Sequence, residues 1–125
     1  MCRGPRDMKM ILSFGAESIE RNAQRSANNA VVARAIGPSL SQAGVTNPLT
    51  NPTLELYDSS GALIASNDDW QDTQEAEIMA SGLAPSDPNE SAIFATLPAG
   101  NFTAVVRGAD DTTGVALVEV YSVAQ

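Results

Sequence analysis

The sequence predicts an all-β fold, an antiparallel β-sandwich of jelly-roll type with one short helix or 3₁₀ turn. Three observations lead there. Six short runs alternate or nearly alternate in polarity, turn-forming residues separate them at close spacing, and only one stretch has helical composition. At 125 residues the chain is one domain's worth, enough for a single hydrophobic core.

The first 29 residues read differently from the rest. Residues 16–30 are mostly polar, with Ile19 and Ala23 as apolar positions four apart, which suits a turn or two of solvated helix or no structure at all. Residues 10–16 (MILSFGA) carry a serine and a glycine, too interrupted a run for the apolar core of a signal peptide. We therefore expect a poorly ordered or helical N-terminal segment over 1–29, ahead of a sandwich domain over 30–125.

Within that domain the first strand is residues 30–36 (AVVARAI), ended by Gly37-Pro38, with Val31, Ala33 and Ala35 on the core face and Arg34 on the other. Gly44, Pro48 and Pro52 make residues 39–51 a loop. A β-hairpin follows. Its strands are residues 53–57 (TLELY) and 62–66 (ALIAS), joined by Asp58-Ser59-Ser60-Gly61 with Gly61 at positive φ. Residues 72–80 (DTQEAEIMA) have helical composition, with Asp72 and Glu75 spaced as a capping box and Gly82 as the stop. Three strands close the chain at 91–97, 102–107 and 115–121, and the face bearing Glu119 in the last is not the deep core.

Charge is divided unevenly. Residues 1–29 hold Arg3, Arg6, Lys9, Arg21 and Arg25 against three acids, whereas residues 30–125 hold only Arg34 and Arg107 against twelve, a net of −10 out of −8 for the whole chain. Such a body repels phosphate backbones and anionic lipid, so neither nucleic acid nor a membrane surface is an expected partner. No run approaches the roughly 18 apolar residues of a membrane span. Histidine is absent, which removes the commonest general base, and the lone Cys2 cannot form an internal disulfide.

Immediately after the hairpin, residues 67–72 (NDDWQD) crowd carboxylates and an amide around the single tryptophan. Asp58, Asn67, Asp68, Asp69 and Asp72 offer the hard oxygen ligands that calcium takes in numbers of about 6–8, although no EF-hand spacing is present. The competing reading makes them turn and cap residues: Asp58 capping the hairpin, Asp68 or Asp69 in an Asx-turn, Asp72 capping the helix. Trp70, with Tyr57 or Tyr121 near it, is a candidate platform for a sugar ring; the competing reading has it plugging the end of the sandwich. Nothing places two carboxylates across a cleft, so enzyme activity is not expected.

Taken together, residues 32–40 (VARAIGPSL), 51–70 (NPTLELYDSSGALIASNDDW), 90–108 and 113–121 resemble bacterial pre-peptidase C-terminal domains. They look still closer to the repeated sandwich modules of large secreted proteins. The resemblance spans about residues 30–123. It implies a secreted or cell-surface accessory module for binding, adhesion or spacing, with an extracellular protein or glycan as partner, no catalytic residues, and calcium in some relatives. Glu90 joins the loop acids as a sixth candidate calcium ligand. Phe102 stands where such modules usually have tyrosine. They also begin with an extra apolar strand that residues 1–29 do not resemble. Either the chain lacks it, residues 10–14 fill it, or a second molecule supplies it across an open sheet edge. Two alternatives follow: a structural subunit that self-associates by strand exchange, and an acid-pair glycan hydrolase.

Overall fold

The computed structural model describes residues 2–4, 7–14, 29–98 and 100–123. Among these residues, eight strands and one α-helix run in the order β1 (Cys2–Gly4), β2 (Asp7–Phe14), β3 (Asn29–Ile36), β4 (Pro52–Tyr57), β5 (Leu63–Asn67), α1 (Glu75–Ser81), β6 (Ser91–Leu97), β7 (Gly100–Gly108) and β8 (Gly114–Ser122). Short 3₁₀ turns occupy Pro38–Ala43, Trp70–Asp72 and Ala109–Asp111. The strands form two four-stranded sheets, ordered β1-β8-β3-β6 and β2-β7-β4-β5, and every strand pair within them is antiparallel. The all-β sandwich expected from the sequence is what forms.

The core follows from the period-two alternation of the strands. Val31, Ala33 and Ala35 of β3, Ala116 and Val118 of β8, and Ile93 and Leu97 of β6 face Leu54 and Leu56 of β4 and Phe102, Ala104 and Val106 of β7. In β4 and β7 the intervening residues Thr53, Glu55, Tyr57, Asn101, Thr103 and Arg107 are exposed or half-buried, with Val105 alone buried on that outer face.

Two strands fall within the described part of residues 1–29. β1 pairs with β8 over three residues, and β2 pairs with β7 at all eight of its positions, from Asp7 against Arg107 to Phe14 against Gly100. Of the three alternatives left open for the extra strand, the structure takes the one in which this chain's own residues, 10–14 among them, lie beside β7. The helical turn read over 16–30 falls mainly on residues 15–28, outside the described residues.

The hairpin forms as read. Gly61 sits at φ +88°, and the Asp58 carboxylate accepts hydrogen bonds from the Ser60 amide (2.9 Å), the Ser60 hydroxyl (2.7 Å) and the Ala62 amide (3.0 Å). A register shift between Leu56 and Tyr57 bulges β5, an edge strand on which Leu63 and Ile64 are exposed. The helix stops at Gly82, in the left-handed conformation at φ +78°. Its start departs from the capping box expected. Trp70–Asp72 closes into a 3₁₀ turn, and α1 begins three residues later behind Gln74 with no side-chain cap.

Candidate functional site

The residues singled out in the sequence divide into two groups. Asp58 lies at the hairpin turn, while Asn67, Asp68, Asp69 and Asp72 follow the other end of β5. Among the described residues no three acid, histidine or cysteine side chains come together closely enough to hold a metal ion. Three members of the candidate calcium set, Asp58, Asn67 and Glu90, are engaged in hydrogen bonds within the protein.

Glu90 is the clearest case. Its side chain is fully buried. Oε2 accepts from the amides of Gly37 (3.0 Å) and Ser39 (2.8 Å), and Oε1 accepts from the Ser39 hydroxyl (2.8 Å). These donors open the 3₁₀ turn Pro38–Ala43, so the carboxylate satisfies amides at the start of that turn. Gly37 is required there: a β-carbon on it would lie 2.1 Å from the Leu49 carbonyl oxygen. Two stretches that carried the family resemblance, GPSL and ES, thus meet in one buried lock.

Asn67 is equally committed. Its Oδ1 accepts from the Ala92 amide (3.0 Å), and its Nδ2 donates to the Asp69 carbonyl and the Thr73 hydroxyl (both 3.0 Å). The Asp69 amide donates to Ser91 Oγ (3.1 Å), which in turn donates to the Pro52 carbonyl (2.7 Å). The Trp70 amide donates to the Glu90 carbonyl (2.8 Å). Gln74 then exchanges two hydrogen bonds with the backbone of Phe94, at 2.9 Å each. Residues 67–74 therefore run beside β6 and occupy an edge that would otherwise present unpaired amides. The hydrogen-bonding roles of Gln74 and Ser91 have no local signal in the sequence, because their partners lie 20 to 39 residues away.

Trp70 is not an exposed platform. It is buried at 7% exposure, packed with Ile78 and Ala92 beneath Ala84 and Phe94. The sugar-stacking role read for it is replaced by the plugging role, because the ring's large apolar area goes into the gap between α1 and β6. The two tyrosines are placed apart on β4 and β8, in different sheets. Tyr121 lies under the Arg34 guanidinium at 5.2 Å, beside the Arg34–Glu119 ion pair.

Asp68, Asp69 and Asp72 keep what electrostatic character the loop has. Partial burial, and then the nearby charges of Asp69, Asp72 and Asp110, hold the Asp68 carboxyl above its usual range. Asp58 is displaced the opposite way, by the Ser60 hydroxyl first and the Ala62 amide second. Asp69 adopts a positive φ of 81°; its Oδ1 and Asn51 Oδ1 are buried without a donor, and the Trp70 Nε1–H is buried without an acceptor. No helix among the described residues is long and apolar enough to cross a membrane.

Compared with known proteins, the chain matches no family model, and neither a curated protein nor a solved structure is detectably similar to it.

Proposed function

We propose that this chain is a non-catalytic β-sandwich module of the pre-peptidase C-terminal type, working outside the cell as a binding or spacer domain of a secreted or cell-surface protein. The observation that carries the reading is the use made of its most reactive-looking side chains. Glu90, Asn67 and Asp58 each accept or donate three hydrogen bonds that fix the backbone of turns and loops. A module that presents a surface or keeps two neighbours apart needs that rigidity, whereas an acid-pair hydrolase needs two carboxylates left over to face a substrate. The full chain is expected to unfold in one cooperative thermal transition, to sediment as a monomer, and to release no reducing sugar from a glycan panel. Turnover that falls in Asp68→Asn or Asp69→Asn would replace this reading with the hydrolase.

A self-associating subunit is the second reading, and a specific feature favours it. Edge strand β5 exposes Leu63 at 52% and Ile64 at 44% with no charged residue along its length. Growth of the sedimenting species with concentration, suppressed by Ile64→Lys, would establish it.

A further inference from the structure

The outer face of the β2-β7-β4-β5 sheet carries an open groove of about 450 Å³, away from the loop acids discussed above. Its floor is Val105 and Thr103 of β7, its walls are Tyr57 of β4 and Asn101 of β7, and the hairpin turn with Asp58 forms one rim. Two features make this a built surface. The Tyr57 hydroxyl donates to Glu55 Oε1 at 2.6 Å, and Arg107 Nε donates to the same oxygen at 3.1 Å, so the ring is held in place by a charge-anchored network on its own face. Around that ring the side chains of Ser59, Asn101 and Thr103 make no hydrogen bond to protein among the described residues, leaving hydroxyl and amide groups turned to whatever enters.

We infer that this groove binds a sugar unit of a neutral glycan. The chemistry selects that class. An aromatic ring offers its face to the C–H side of a pyranose, and hydroxyl and amide groups on a neighbouring strand can each give and take one hydrogen bond, as sugar hydroxyls do. The Glu55 and Asp58 carboxylates on the same face disfavour an anionic ligand, and the Arg107 guanidinium is shared with Glu55. A peptide added as a strand would need a sheet edge, and this groove lies on a sheet face. The inference rests on the reading of the chain as a binding module and gives that module its ligand and its surface.

Affinity electrophoresis of the full chain through soluble β-glucan, xylan and galactomannan, with alginate as the acidic control, tests it. At least one neutral polysaccharide is expected to retard the protein. Tyr57→Ala and Asn101→Ala should each weaken retardation at least about tenfold, the scale of one lost stacking or bidentate partner. Tyr57→Phe should keep it within about threefold, because the ring remains. Asn101 is exposed, so its variant should melt with the parent, which separates lost binding from lost folding. Retardation by none of the neutral polymers, by alginate alone, or equally by the parent and Asn101→Ala would overturn the groove assignment. Reducing sugar assayed in the same mixtures keeps the two readings distinct: its release would overturn the non-catalytic module, while its absence together with no retardation would overturn the groove alone.

Discussion

Replacing Glu90 by alanine would leave the amides of Gly37 and Ser39 without their acceptor, whereas replacing it by glutamine would keep an acceptor for them and lose only the charge. The two variants should therefore be graded. Glu90→Ala is expected to cost about 3 kcal/mol or more and Glu90→Gln about 1–2 kcal/mol, read as a fall in the urea midpoint at unchanged slope. Equal costs would mean that the charge, which both variants remove, carries the whole effect and that the acceptor kept by glutamine adds nothing. Glu90 also shows the limit of reading residues one at a time. In the sequence it stands beside Asn89 and near Asp87, an acid in a polar loop, and a metal ligand is a fair expectation. Its actual partners are 51 and 53 residues upstream, and only the fold brings them within 3 Å. Asp58, by contrast, was legible because its partners are two and four residues away, within the turn itself.

At the scale of elements, the stretch that drew attention as a site is a seam between sheets. Residues 67–74 leave the end of β5 in one sheet and pass along β6 in the other, with Asn67 and Gln74 taking the amides of Ala92 and Phe94. A strand edge is satisfied here by side-chain amides in place of a ninth strand. Gln74→Ala should speed hydrogen exchange at the Phe94 amide while leaving the central β3 amides protected, at a cost of about 1–2 kcal/mol. Unchanged exchange at Phe94 would show that the clamp holds nothing. Six of the eight described strands were legible because alternation is a local signal, carried for instance by Leu54 and Leu56 against Glu55 and Tyr57. The start of α1 was not. Asp72 and Glu75 have capping-box spacing, but the burial of Trp70 pulls residues 70–72 into a 3₁₀ turn, so tertiary packing overrides the local preference.

For the whole molecule, the decisive question is whether the sandwich stands without its first strands. From the sequence, residues 30–125 read as the sandwich domain, with the position of an additional first strand left open. In the structure β7 is a central strand only because β2 covers it from Arg107 to Gly100; without β2, β7 becomes an edge along its length. That edge would be apolar on its core face, with Phe102, Ala104 and Val106, and free of the bulge that bends β5. A fragment of residues 30–125 is therefore expected to lose roughly 3 kcal/mol or more, on the order of 10 °C in Tm. It should also grow in size with concentration where the full chain stays monomeric. Restoring a peptide of residues 7–14 should reverse both effects, because the missing hydrogen-bond ladder is then supplied from outside. If the fragment melts with the full chain and remains a monomer, β2 contributes nothing to the fold, and the pairing register from Asp7 to Phe14 has no energetic meaning.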